Sequence, residues 1–405
     1  MPCPPFITEE NSKVKKSKSN WSEDTKLTHA GRDPDAYHGI VNPPISRTST
    51  ILYPDLAAYE NPSHRYRYGR MGNPMSDAFE SAMAELESGI GAVGTQTGMA
   101  AITTSILSIV KSGDHVLMVD TVYPPTRYFA ANILKRMNVE VEYYDPMIGA
   151  DIQSLIRDNT SIIYLESPGS ATFEIMDVPT ITKIAKDKGI TTILDNTYSA
   201  GILFKPLDHG VDISFQSCTK YVGGHSDINL GVIATKDEAL LKLIRSAAWD
   251  LGVAPTAEDM YLALRGLRTL TTRMKQNAAN ALEVLGYMQT REEFAKLFHP
   301  SLETHKGHDI WKRDFKGANG LIGFMLQDAP SKAVHDFINA LELFPIGSSW
   351  GGFESLCQPQ DLKSYRTAVP WDGTGACFRL QVGLEAPKDL IGDLEQGLKV
   401  FNAEK

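Results

Sequence analysis

Between residue 74 and about residue 235 the hydrophobic pattern switches repeatedly between two periods. "NPMSDAFESAMAELESG" sets Phe79, Met83 and Leu86 at helical spacing, with Pro74 near the start and Gly89 past the end. "GMAAITTSILSIV" reads as a second helix that opens at Gly98. Short apolar runs of strand length follow: "HVLMV", "VEVEYY", "SIIYLE", "TTILD", "DISFQS" and "LGVIAT". Helical segments such as "TRYFAANILKRM" and "VPTITKIAKDKG" separate the first four. Continuous apolar strands alternating with helices predict an α/β fold with a mostly parallel sheet covered on both faces. Sites in such sheets lie at the carboxyl ends of the strands.

Past "APTAED" the character changes. "EDMYLALRGLRTLTTRMKQNAANALEVLGYM" reads as one long helix bent at Gly266. The remainder mixes strands ("GLIGFMLQ", "CFRLQVGLE") with helices ("KAVHDFINALE", "DLIGDLEQGLKVF"), which predicts a smaller α+β domain over residues 254–405. The large domain then spans 74–253. Residues 25–73 are rich in Pro, Gly, Arg and Tyr with little periodicity, and are expected to form an arm draped over a neighbouring subunit. Residues 1–24 hold Lys13, Lys15, Lys16 and Lys18 beside Glu9 and Glu10, with few apolar residues. That composition fits a disordered tail better than a polybasic signal.

Composition narrows the setting. The 405 residues are 42% hydrophobic and 22% charged, an ordinary globular balance with enough chain for two or three domains. A net charge of −9 offers no attraction to nucleic acid or to an anionic membrane. Cys3, Cys218, Cys357 and Cys377 lie far apart with no C-x-x-C spacing, which argues against a disulfide framework or zinc ribbon. No apolar run approaches the roughly 20 residues of a membrane span, and the start lacks the apolar core of a signal peptide. A cytoplasmic location is expected.

The candidate chemistry sits at three strand ends. "TTILDNT" finishes with Asp195, "DISFQSCTK" with Ser217, Thr219 and Lys220, and "SIIYLESPGS" with Glu166 and a turn. One acid after a buried strand is ordinarily a turn former or cap. An acid, two hydroxyls and a lysine on one rim suit a phosphorylated aromatic aldehyde, pyridoxal phosphate. A carboxylate keeps the pyridine nitrogen protonated, and a lysine forms the Schiff base. In "TQTGMAA" the N–H groups of Gly98 and Met99 open a helix and can face an anion. Cys218 reads as a small buried residue and His225 as structural. His305 and His308 have no partner at metal spacing, so no metal is assigned.

The stretch "DNTYSAGILFKPLDHGVDISFQSCTKYVGGHSD" resembles the pyridoxal-phosphate-dependent enzymes of Cys/Met metabolism, which have the aspartate-aminotransferase fold, fold type I. "RYGRMGNP", "GDHVLMVDTVYPPT", "LESPGS", "KGHDIWKRDFKGANGL", "SSWGGFESL" and "FRLQVGLE" are most similar to its β-lyase branch. The likeness runs from roughly residue 25 to the C-terminus. It implies a seven-stranded, mostly parallel sheet in the large domain.

By position, the resemblance implies that Lys220 binds the cofactor and shuttles protons, while Asp195 pairs with the pyridine nitrogen. Tyr123 would stack on the ring and help deprotonate the substrate amine. Gly98, Met99, Ser217 and Thr219 would bind phosphate. Tyr68 and Arg70 would reach the adjacent subunit's phosphate, with Tyr68 also bordering substrate. Arg379 and Ser349 would hold the substrate carboxylate, and Trp350 would border the substrate.

The implied activity is α,β-elimination of L-cystathionine to homocysteine, pyruvate and ammonia, a step of methionine biosynthesis, by a homo-oligomer expected to be a tetramer with shared sites. A γ-acting member of the family is the first alternative; resemblance to that branch would predict leucine in place of Trp350. A non-catalytic binding protein is the second. Against it, there is no obvious basic DNA-reading helix and no G-x-G-x-x-G after an early strand.

Overall fold

A computed structural model describes residues 21–61 and 65–405 of the chain. The expected disordered tail lies outside the described residues except for its last four, where the helix Glu23–His29 begins behind the N-cap Ser22.

The larger sheet contains β1 (Gly91–Thr95), β2 (His115–Val119), β3 (Glu140–Tyr144), β4 (Thr160–Glu166), β5 (Thr191–Asp195), β6 (Ile213–Ser217) and β7 (Gly231–Thr235). Their order is β1-β7-β6-β5-β4-β2-β3. The five strands from β3 to β6 run parallel, and β7 is antiparallel to both of its neighbours. β2 and β7 are buried along their whole length, as their continuous apolar sequences predict. Six strands match the apolar runs read from sequence. The seventh, β1, has the sequence "GAVGT", where two glycines and an alanine leave no apolar run to see.

The helix Pro74–Leu86 packs on β1, Gly98–Leu107 on β6 and β7, and Val178–Asp187 on β5. Pro74 at the first turn and a reciprocal Asn73–Ser76 capping box fix where the first of these starts. A right-handed crossover would normally follow a parallel strand. Instead, residues 218–230 return directly from β6 to antiparallel β7, and this short link carries Lys220 beside the carboxyl end of β5.

The smaller sheet is antiparallel throughout. Its strands are β8 (Phe294–Phe298), β9 (Leu321–Leu326), β10 (Leu356–Gln360) and β11 (Cys377–Gln381), in the order β10-β11-β9-β8. Phe324, Phe337, Leu394 and Phe401 are fully buried between this sheet and the helices Ser331–Ala340 and Pro387–Glu404. β8 and β10 went unread in the sequence, since "FAKLF" and "LCQPQ" mix exposed polar positions with few apolar ones.

The long helical run is two helices, Ala257–Leu267 and Leu270–Met288. The break falls at Arg268 and Thr269, where Thr269 has φ −114° and ψ 6°, and not at Gly266. Gly266 serves a different purpose: a Cβ there would lie 2.1 Å from the Val222 carbonyl oxygen. The missing side chain lets this helix press against the link that carries Lys220. Arg273 reinforces the contact, donating to the carbonyls of Tyr221 (2.7 Å) and Gly266 (2.8 Å).

Gly266→Ala is therefore expected to destabilise the protein by about 2 kcal/mol or more, through forced backbone displacement. Gly286→Ala, in the next helix with nothing near its added Cβ, is expected to stabilise by up to about 1 kcal/mol. Denaturant unfolding of both variants checks the pair, and equal effects would contradict the packing argument.

Candidate active site

A cavity of ≈ 250 Å³ opens at the carboxyl ends of β4, β5 and β6. Nine of the residues expected to serve a site line it: Gly98, Met99, Tyr123, Asp195, Ser217, Thr219, Lys220, Trp350 and Arg379. Ser349 joins them through its hydroxyl. Tyr68 and Arg70 do not border the cavity of their own chain. Tyr68 forms a bridge with Thr50, and Arg70 donates to the Trp249 carbonyl at 2.6 Å.

Lys220 is the least comfortable group in the cavity. Its Nζ donates to Ser349 Oγ at 2.9 Å and lies 5.6 Å from the centre of the Trp350 ring. Burial and the Arg379 charge lower its pKa to about 8, against the opposing pull of Asp195. A neutral amine is the nucleophilic form, so this environment favours capture of an aldehyde. Asp195 is pushed up to about 6, chiefly by burial, while Thr197 and Lys220 hold it down. Thr197 does this through its side chain first and then through its backbone N–H, which donates to Asp195 Oδ1 at 2.9 Å. The Thr197 hydroxyl accepts from the Ser217 N–H at 2.9 Å, which locks the ends of β5 and β6 together.

The anion-facing end is built from the helix Gly98–Leu107. Thr97 caps it, its hydroxyl accepting from the Ala100 N–H at 2.9 Å. The N–H groups of Gly98 and Met99 have no intrahelical acceptor and stand at the cavity wall. A Cβ on Gly98 would lie 2.5 Å from Ser217 Oγ, so glycine is what lets the helix start meet the strand end. Thr219 is engaged elsewhere: its hydroxyl donates to the Leu230 carbonyl at 3.2 Å and accepts the Leu230 N–H at 3.1 Å.

Arg379, on β11, enters from the smaller domain. Its Nη2 donates to the Ser349 carbonyl at 3.1 Å and to Gln358, while its buried Nε has no partner among the described residues. Burial lowers its pKa to about 10, which leaves it a cation with a spare donor. Tyr123 is fixed by its backbone N–H, which donates to Glu166 Oε2 at 2.7 Å. Burial and the charge of Asp195 raise its phenol pKa. Trp350 packs edge-on against Tyr221, 5.6 Å between ring centres.

Several other polar residues have plain structural partners. Cys218 is fully buried, and His225 bonds the Gly223 carbonyl at 2.8 Å. His305 and His308 bond the backbone carbonyls of Phe173 and Pro300. Glu166 stands at a strand end visible in the sequence, where nothing local marks it for a role. Thr197, Gln358 and Tyr198 were passed over as well, although "DNT" directly after the Asp195 strand was a signal for Thr197.

These residues fit pyridoxal phosphate: a buried amine, a carboxylate at the adjacent strand end, and free N–H groups at a helix start. The family described as "Cys/Met metabolism PLP-dependent enzyme" matches residues 24–399. The chain belongs to this family. It is 43% identical over 383 residues to a protein named putative cystathionine beta-lyase from Rhizobium johnstonii, covering 94% of this chain and 96% of that one. It is 40% identical over 389 residues to a cystathionine beta-lyase from Bordetella avium, covering 93% and 97%. Among solved structures, cystathionine gamma synthase from Xanthomonas oryzae pv. oryzae, in complex with aminoacrylate and cysteine, superposes with a TM-score of 0.87 at 30% identity. That match covers 95% of this chain and 100% of the other. The family makes the protein a pyridoxal-phosphate-dependent enzyme of Cys/Met metabolism.

The charges around Lys220 set a pH expectation. Below its pKa the amine is protonated and inert, so the initial rate at which cofactor-free protein captures pyridoxal phosphate should climb about tenfold per pH unit and level off above about 8. Asp195→Asn removes the anion that raises this pKa and should move the midpoint down. Arg379→Gln removes a cation that lowers it and should move the midpoint up. Stopped-flow absorbance measures the rates, and hydride trapping with peptide mapping locates the adduct. A midpoint near the ordinary lysine value of about 10.4 would contradict the electrostatic account.

Proposed function

We propose that the protein catalyses α,β-elimination of L-cystathionine, yielding homocysteine, pyruvate and ammonia, as a step of methionine biosynthesis. Trp350 carries this choice within the family. The indole borders the cavity beside the Lys220 amine and narrows the space next to it, at the position where resemblance to γ-acting members predicts leucine. The β-lyase names of the bacterial relatives support the same choice.

Pyridoxal phosphate, when bound at Lys220, supplies an electron sink for the charge left at the substrate Cα. Asp195 would keep the pyridine nitrogen protonated, and Tyr123 would cover the ring. Gly98, Met99 and Ser217 would hold the phosphate, joined by Thr219 only if its hydroxyl turned away from the Leu230 carbonyl. Arg379 presents its guanidinium fork to the substrate carboxylate, which fixes the orientation of Cα. The Lys220 amine, parked on Ser349, takes the α-proton. The β carbon–sulfur bond needs little acid help to break, because a thiol with a pKa of about 8.5 yields a good leaving group.

Tyr68 and Arg70 complete the phosphate site of a partner subunit in this proposal, within a cytoplasmic homotetramer built as a dimer of dimers. The arm offers support for a covering partner: Ile40, Val41, Leu52, Leu56 and Tyr59 all stand exposed along this one segment.

γ-Elimination remains the competing outcome, since the γ-synthase structure shares the fold. Supplied with L-cystathionine, the purified protein should release pyruvate. 2-Oxobutyrate as the main keto acid would overturn the β-lyase assignment. Mixing Arg70→Ala chains with Lys220→Ala chains should restore part of the activity through hybrid sites. No recovery, in hybrids shown to form, would overturn the shared-site proposal.

A further inference from the structure

Glu166 closes β4 and lines the cavity, yet it has no part in the chemistry above. In the parallel pairing of β4 with β5 it stands opposite Asp195, so two carboxyl groups share one rim. Glu166 is only 7% exposed. Oε2 accepts the Tyr123 N–H at 2.7 Å, and Oε1 lies 2.6 Å from Ser170 Oγ. No ion pair reaches it among the described residues.

Asp120 shows what this protein does with a buried carboxylate that stays charged. It is fully buried, bonds the guanidiniums of Arg127 and Arg366, and accepts the N–H groups of Thr367, Ala368 and Val369. Glu166 has no guanidinium beside it, and its support is limited to the Tyr123 N–H and to the hydroxyl and backbone of Ser170. A carboxylate accepts at about four lone-pair sites, whereas a neutral carboxyl offers one O–H donor and one carbonyl acceptor. The neutral form is compatible with these contacts: its carbonyl oxygen takes the Tyr123 N–H, and at 2.6 Å its O–H can donate to Ser170 Oγ in place of the reverse bond.

We propose that Glu166 is a neutral carboxylic acid that positions Tyr123 and leaves Asp195 as the single carboxylate charge facing the cavity. Burial first, and then the Asp195 charge, push its pKa well above the carboxylate range. The other titratable groups around it do not reverse this. The phenols of Tyr123 and Tyr164 are raised and neutral, and the cations Lys220 and Arg379 do not bond it. A second anion at this rim would compete with Asp195 for the ring proton, whereas a neutral acid can hold Tyr123 without that cost. The consequence for the ring rests on the cofactor assignment above; the protonation state of Glu166 does not.

Infrared difference spectra of wild type against Glu166→Gln, at neutral pH and with and without pyridoxal phosphate, test the protonation state. The expected result is a carbonyl stretch of a protonated carboxyl that disappears in the variant. Its absence from cofactor-free wild type would overturn the proposal. Glu166→Ala should lower kcat/KM on L-cystathionine by about tenfold, the loss of one buried hydrogen bond, and weaken the visible circular dichroism of the bound cofactor. Glu166→Gln, which keeps one donor and one acceptor, should recover most of both losses. A glutamine variant as impaired as the alanine one, or one whose acidic pH limb moves, would show that the charge matters and overturn the proposal. A protein that takes up no pyridoxal phosphate would refute the cofactor assignment and still leave the infrared result to judge Glu166.

Discussion

Lys220 and Arg379 are two largely buried cations facing one cavity, with Asp195 as the anion that offsets them. Left in water, each group would keep its ordinary charge. Out of water, the amine slips toward neutrality, the carboxyl toward protonation, and the guanidinium keeps an unpaired donor. Such shifts mark a site whose natural ligand supplies the missing countercharges. The hydrogen-bond partner chosen for the amine follows the same logic. Ser349 accepts from Lys220 without adding negative charge, whereas an acid there would hold the amine protonated and take away its nucleophilicity.

That balance survives only if both domains stay in register, because Asp195 and Lys220 come from the large sheet and Arg379 from the small one. The buried Asp120 network supplies the clamp. Asp120 follows β2, three residues before Tyr123, and its carboxylate is held by the backbone of residues 367–369 in the smaller domain. Arg366 extends the clamp to Thr172 and Glu174 on the loop after β4, whose neighbours Ala171 and Phe173 line the cavity. Removing one member of such a network strands the remaining charges, a cost of about 3–5 kcal/mol.

Much of this was legible in sequence because the signals were local. Strands buried on both faces read as apolar runs, and Asp195, Ser217, Thr219 and Lys220 each end or follow such a run. The losses also have local causes. β1 is too small in its side chains to register, and β8 and β10 carry exposed polar residues on an antiparallel sheet with one dry face. Gly266 attracted a bend because glycine weakens helices, but its role is a contact 44 residues away in sequence, with Val222, that no periodicity records. Within the site, the pairing of Lys220 with Ser349 depends on how the smaller domain meets the larger one, and that of Tyr123 with Glu166 on which strand ends become neighbours. The order β6-β5-β4-β2 decides that, and it is a property of the folded sheet.

The β-selectivity proposed for this enzyme then becomes a question of rigidity. One lysine can serve both elimination types, since γ-chemistry asks the same amine to take a second proton from Cβ. What differs is how far the amine and the substrate chain can travel. Nζ sits between the Ser349 hydroxyl and the face of Trp350, and the indole is backed edge-on by Tyr221. Tyr221 cannot give way easily: it is fully buried, and its own hydroxyl accepts the Gly320 N–H at 3.0 Å, just ahead of β9. A wall supported through two rings to the smaller sheet resists the displacement that a γ-position would require. A leucine at 350 would reach less far and lose that backing, so the selectivity would reside in the stack as a whole.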